Sequence, residues 1–214
     1  MKQRTQEWFD ARDGKVTASR VKDVMAKGKR DNKPLKARED YLAELVAERL
    51  SGQTFEHYVN AAMQWGIDTE PEARTTYELI KDEPVELVGF VQHPMISMAG
   101  ASPDGLVGSQ GLVEIKCPTT ATHIKYLKAQ EIPDDYTMQM IWQMICTGRT
   151  WCDFMSYDPR LPDPYRVFLK RLVLPTDDFV RAIESEVILF DKEVDGTIKK
   201  IKEAVSGHPR NAKA

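Results

Sequence analysis

Asp104, Glu114 and Lys116 form the pattern Asp-x9-Glu-x-Lys within "ASPDGLVGSQGLVEIKCP", residues 101–118. Two hard carboxylates suit Mg2+, which takes oxygen ligands and keeps several waters. An ammonium two residues after the second acid can position an attacking water or offset charge growing on phosphorus. That chemistry is metal-assisted phosphodiester hydrolysis. The backbone carbonyl of Ile115, between Glu114 and Lys116, can add a further oxygen ligand. Taken alone the pattern is moderately specific, and a structural Glu114–Lys116 ion pair is the competing reading.

The elements that must hold these groups can be read from the pattern around them. In "LVEIKC" alternate side chains share a strand face, so Glu114 and Lys116 point one way and Val113, Ile115 and Cys117 the other. A strand so apolar on one face sits inside a domain, where Glu and Lys are rarely left without partners. The SPDG turn would fix Asp104 at a strand end, and Gly105 lets backbone approach closely.

Along the chain, helical spacing predicts a short helix over 5–12 with Trp8 and Phe9. It also predicts one from an N-cap at Thr17 to about Lys27, and one over 37–50 ending at Gly52. Residues 60–81 are helical with a kink or fresh start near Thr69–Glu70–Pro71–Glu72, since Pro is at home in a first helical turn. Short strands follow from Val85 to Cys117, then helices at 120–129 and 134–147, strands at 151–157 and 165–174, and a long helix from Thr176. Its apolar stripe is expected to pack on the protein's own sheet, with part of it free to meet another subunit.

With 214 residues and no linker or repeat, a single domain spanning 1–214 is expected. Its fold class is α/β, a central mixed β-sheet flanked by helices. The start, MKQRTQEWFD, lacks the apolar run of a secretory leader, and no stretch approaches roughly 18 apolar residues. Three cysteines without a CxxC suit a reducing cytoplasm and fall short of an iron–sulfur cluster. The net charge of −3 gives no overall basic footprint, but six basic residues and one acid lie between Lys27 and Arg38. Lys29, Arg30 and Lys33 in that loop are candidates for duplex phosphates.

The "SPDGLVGSQGLVEIKCP" stretch resembles the PD-(D/E)xK nucleases, and specifically the lambda-type (YqaJ-like) phage recombination exonucleases. "WFDARDGKVTASRV" (8–21), "QWGIDTEPEARTTYE" (64–78), "YTMQMIWQM" (136–144) and "YDPR" (157–160) support the narrower match in the family's order. The resemblance implies a restriction-endonuclease-like core and a Mg2+-dependent exonuclease, with Mn2+ as a substitute. It would degrade double-stranded DNA from 5′ ends, leaving a 3′ single strand for a phage-type single-strand annealing protein. It further implies a homotrimer ring, in the cytoplasm of a bacterial host and encoded by a phage or prophage.

Carried over, Asp104 and Glu114 match the metal-binding acids, Lys116 the catalytic lysine, Glu70 a helix-borne acid beside the metal and Gln139 a glutamine near it. Arg12 and Ser19 match a pocket for the 5′-phosphate, where a guanidinium fork and free helix N–H groups suit an anion. Ser102 can add a hydroxyl. The bland readings are a surface charge for Arg12, a first-turn acid for Glu70 and a solvated stripe for Gln139 and Gln143. Trp8 reads as a core anchor or a stacking platform, and His93 as a strand residue rather than a ligand. Residues 87–103 hold no carboxylate, which leaves the make-up of any second metal site open. The alternatives are a restriction-like endonuclease on the same core, or an inert DNA-end-binding module that recruits an annealing protein.

Overall fold

The computed structural model describes residues 1–28, 33–53 and 60–206. The chain runs α1 (Gln6–Arg12), β1 (Val16–Thr17), a 3-10 turn (Ala18–Arg20), α2 (Val21–Val24), α3 (Lys36–Ser51) and α4 (Ala61–Lys81). Five strands follow: β2 (Val85–Glu86), β3 (Val91–Gln92), β4 (Ala99–Ala101), β5 (Gly105–Val107) and β6 (Gly111–Lys116). α5 (Thr120–Ala129), α6 (Asp134–Thr147), β7 (Trp151–Tyr157), β8 (Val167–Val173) and α7 (Asp177–Ser206) complete it.

The main sheet is mixed, in the order β2-β5-β6-β7-β8, with β6 and β7 parallel and the other pairs antiparallel. A smaller sheet, β1-β4-β3, was not legible in the sequence, because strands of two or three residues show no period. The expected α/β architecture holds, with helices on both faces of the main sheet.

Alternation along β6 divides the core. Leu112 joins Cys152, Phe154 and Phe168 beneath α6, where Met140, Ile141 and Met144 close the layer together with α2, α3 and α7. Val113, Ile115 and Cys117 face the other way, with Met155 and Tyr157, against Ala73 and Tyr77 of α4. Burial of each such side chain contributes about 1.5–3 kcal/mol. Glu114, fully buried, therefore points at α6 from inside the first layer.

Local signals account for most boundaries. α3 stops at Gly52, whose φ of 63° is the left-handed C-cap that glycine adopts without a Cβ clash. α4 opens on Asn60, whose side chain accepts from the Met63 N–H at 2.9 Å. α5 begins at the Thr119 cap in the same way, and α6 carries Asp134 and Asp135 in its first turn.

Three expectations are corrected. The helix capped at Thr17 is only a three-residue 3-10 turn running into four-residue α2, because Val16 and Thr17 pair with Ala99 and Gly100 of β4. α4 runs unbroken through Pro71, since Ala73 and Tyr77 beyond it are anchored on the sheet. The α7 stripe packs mainly on α3 and α2 rather than on the sheet. Phe190 stacks on Tyr41 at 5.5 Å, and Arg38 and Arg49 pair with Glu193 and Asp191, each at 2.6 Å.

Within the basic segment Lys27 pairs with Glu186 at 2.6 Å, Lys36 pairs with Asp40, and Arg38 is buried. Lys29 and Arg30 lie outside the described residues. All three cysteines are free and buried, and no described helix is long and apolar enough to cross a membrane.

Candidate active site

Glu114 sits near the end of β6 with both carboxylate oxygens engaged. Its Oε1 accepts from Gln139 Nε2 at 2.6 Å and pairs with Lys116 Nζ; its Oε2 accepts from Gln143 Nε2 at 2.7 Å. Gln139 and Gln143 are one turn apart on α6, so they grip the acid from the same helix face. The solvated-stripe reading of these glutamines is wrong: Gln143 is fully buried and Gln139 half-buried.

Asp104 closes the SPDG turn directly before β5. Its Oδ2 accepts from the Ile115 N–H at 2.8 Å, across the gap where β6 outruns β5. In an extended strand a residue's N–H and C=O point to the same side, so the Ile115 carbonyl faces Asp104 as well. Gly105 makes this approach possible, because a Cβ there would stand 2.0 Å from Val85 Cγ1. Burial and the nearby Glu114 charge push the Asp104 carboxyl up to about 8, with Glu70 adding to the rise and Lys116 opposing it.

Burial alone would lower the Lys116 pKa, but the charges of Glu114 and Asp104 outweigh it and hold the ammonium well above its ordinary value. Lys116 is thus a fixed cation, with Nζ 5.2 Å from the Tyr136 ring centroid. The site holds more acid than base. Glu70, in the interior of α4, pairs with Arg4 at 3.0 Å and lies within electrostatic reach of Asp104 and Cys117. The first-turn reading of Glu70 fails, since α4 begins at Ala61.

A second group of residues lies beside this corner. Trp8 is buried, and its Nε1 donates to Ser102 Oγ at 2.9 Å. The Arg12 guanidinium lies 3.9 Å from the Trp8 ring centroid. Arg12, Lys15, Ser19 and Glu48 line a cavity of about 360 Å³. Arg12 has no ion pair among the described residues, and burial lowers its pKa. Arg20, on the same wall, is instead spent on Asp23 at 2.6 Å and Glu44 at 2.8 Å.

Gly14, at φ 64° and with Arg49 Cγ 2.8 Å from any added Cβ, holds the turn after α1 against α3. Ser19 is exposed in the 3-10 turn. A helix so short carries little dipole, so the helix-terminus argument for Ser19 gives way to its hydroxyl and local N–H groups.

The two histidines among the described residues, His93 and His123, are structural. His93 Nδ1 accepts from the N–H groups of Met95 and Ile96, its ring stacks on Trp142, and Nε2 faces Glu184 at 3.1 Å. His123 is tied between Ser156 and the Tyr165 carbonyl.

Among the described residues no three His, Cys, Asp or Glu side chains converge into a closed metal cage. The donor set that does converge, two carboxylates with a carbonyl facing one of them, is the open oxygen kind that a hydrated Mg2+ uses. The residues fit such an ion. Gln143, read in the sequence only as part of a solvated stripe, is the residue whose place the sequence reading misjudged. Its signal was a lone amide in the otherwise apolar run Met140–Cys146.

A mixed sheet bearing Asp104, Glu114 and Lys116 at the ends of two antiparallel strands, with helices on both faces, defines a nuclease-like α/β core. Residues 7–150 match the model of the YqaJ-like viral recombinase domain, and the chain belongs to that family. It is similar to LHK-Exo, an alkaline exonuclease from Laribacter hongkongensis, solved also in complex with dAMP. In both structures the identity is 48%, 94% of this chain and 98% of that one are covered, and the TM-scores are 0.86 and 0.87. A phage-related exonuclease from Haemophilus somnus 129PT shares the fold at 16% identity and TM-score 0.67, over 87% of this chain and 96% of that one. A search of the curated proteins gave no match.

Proposed function

We propose that the protein is a Mg2+-dependent 5′-to-3′ exonuclease on linear double-stranded DNA, releasing mononucleotides and leaving 3′ single strands for an annealing protein. The observation that carries this reading is the join between the two groups of residues. Ser102, two positions before Asp104, accepts from Trp8, whose ring lies under Arg12. An acid-rich hydrolytic corner and a cationic cavity thus share one short structural link. An endonuclease has no need of a cavity for a terminal phosphate.

Asp104, Glu114 and the Ile115 carbonyl would hold the ion, with Glu70 beside them. Bound there, Mg2+ supplies Lewis-acid activation of a phosphoryl oxygen and a more acidic water. Lys116, kept protonated by its acids, orients the attacking oxygen and offsets charge growing on phosphorus. Gln139 fixes the Glu114 carboxylate. Arg12, with the Ser19 and Ser102 hydroxyls, receives the 5′-phosphate through charge-assisted hydrogen bonds. The relative solved with dAMP supports a mononucleotide-sized site. The proposal includes a cyclic homotrimer around the duplex, with Mn2+ able to replace Mg2+, in a bacterial cytoplasm.

The test is digestion of linear duplex bearing 5′-phosphate or 5′-hydroxyl ends, and of closed circular duplex, with Mg2+ or with chelator. The expected result is degradation of linear DNA only, dependent on Mg2+ and faster from 5′-phosphate by about tenfold or more, since about 1.4 kcal/mol makes a factor of ten. Cleavage of the circle would favour an endonuclease. Absence of cleavage alongside tight end binding would favour the inert module.

A further inference from the structure

Gln143 is a costly residue for its place. It is fully buried on α6 between Met140, Ile141, Trp142 and Met144, all buried and apolar. A primary amide in such surroundings is unfavourable unless its polar atoms are matched. Only one end is matched: Nε2 donates to Glu114 Oε2 at 2.7 Å, while Oε1 has no hydrogen-bond partner. Methionine or leucine would fill the same space without an orphaned carbonyl. Packing does not explain the glutamine; Glu114 does.

Each carboxylate oxygen offers two acceptor positions. On Glu114, Oε1 takes Gln139 and Lys116, which uses both. Oε2 takes Gln143 alone, so one position remains, and Gln143 decides where it points. We propose that Gln143 is a positioning residue that locks the Glu114 carboxylate so that Oε2 presents its remaining lone pair to a divalent cation. The inference rests on the reading of Asp104 and Glu114 as a metal site. The two oxygens turn together about the last side-chain torsion, so Gln143 on Oε2 adds a second hold, from the opposite oxygen, to the one that Gln139 and Lys116 place on Oε1. A glutamate in its place would set a second carboxylate against Glu114.

The test is Mn2+ titration of the metal-free full chain by calorimetry, for wild type and Gln143→Met, with Mg2+-supported digestion of linear duplex and a thermal melt alongside. Partners that orient a metal ligand are typically worth about 10–100-fold in affinity or activity. The expected result is a Kd for Mn2+ raised by that factor and a lower kcat. KM for DNA and the melting temperature stay near wild type. A purely structural role would instead lower the melting temperature and leave Mn2+ affinity unchanged, which overturns the inference. If Gln143→Met does not fold, Gln143→Asn keeps the amide but withdraws its N–H by one methylene. Wild-type Mn2+ affinity in Gln143→Asn overturns the inference equally. A wild type that binds no Mn2+ removes the metal reading and the inference together, whereas wild-type binding with an unchanged variant removes the inference alone.

Discussion

Two buried carboxylates, Glu114 on β6 and Asp153 on β7, stand in neighbouring strands and face opposite sides of the same sheet. On the α4 side, Asp153 is fully compensated. Arg171 forks onto its oxygens at 2.7 and 3.0 Å, Tyr77 donates at 2.9 Å, and Lys81 lies 3.2 Å away. Burial would raise its pKa, but the Arg171 and Tyr77 hydrogen bonds outweigh that and lower it. On the α6 side, Glu114 shares one lysine with Asp104, and Asp104 is pushed up to about 8. A structural acid is surrounded by the cations it needs. The acids of the candidate site are left one cation short, which is the condition for binding a cation from solution.

That contrast can be broken by mutation. Asp104→Ala or Glu114→Ala should abolish digestion of linear duplex while DNA binding in Ca2+ survives, because Ca2+ accepts looser oxygen geometry. Gel-shift and release assays on the same preparations check both halves. Lys116→Ala should slow turnover by about 100-fold or more, the usual worth of one general catalytic group, with metal affinity largely kept. Single-turnover rates across a Mg2+ series measure it. Asp153→Asn should reverse the pattern. Stability falls by about 1.5–3 kcal/mol, the range for hydrogen bonds to charged groups, and the half-exposed Arg171 keeps the loss below that of a fully buried pair. Denaturant titration reads the loss, and turnover per folded molecule stays at the wild-type value.

The remaining effect concerns pH. Folded metal-free protein keeps the Asp104 proton up to about 8, whereas the unfolded chain releases it near 3.9. The folded state therefore binds more protons across that window, and this group's contribution is full below about 4 and lost as pH rises to about 8. Asn cannot ionise, so Asp104→Asn should melt above wild type at pH 8 in chelator, with the gap closing towards pH 5. Thermal melts at the two pH values measure it, and equal gaps at both would contradict the electrostatic account.

Alternation over Leu112–Cys117 was enough to place Glu114 and Lys116 on one face, with Val113, Ile115 and Cys117 packed on the other. α5 and α6 were legible to the residue because their caps and periodicity agree. α4 was not, since tertiary anchoring of Ala73 and Tyr77 overrode the local signal of Pro71. The α7 stripe gave a helix and its buried face but not its neighbour, because a stripe of Ile, Val and Phe fits α3 as well as a sheet. Gln143 was misjudged for a related reason. A glutamine's meaning depends on whether its helix face is covered, and only the fold reveals that cover. The pairing of Trp8 with Ser102 spans 94 residues of sequence and left no local trace.

The most direct test of the contrast between the two sheet faces is Mn2+ titration of the metal-free protein followed by electron paramagnetic resonance, in which bound Mn2+ loses its free-ion signal. Wild type and Asp153→Asn should bind Mn2+ alike, and Asp104→Asn and Glu114→Gln should leave it free in solution. Equal binding by Asp104→Asn and wild type, or loss of binding in Asp153→Asn with its fold intact, would contradict the assignment of the acid-rich corner as the cation site.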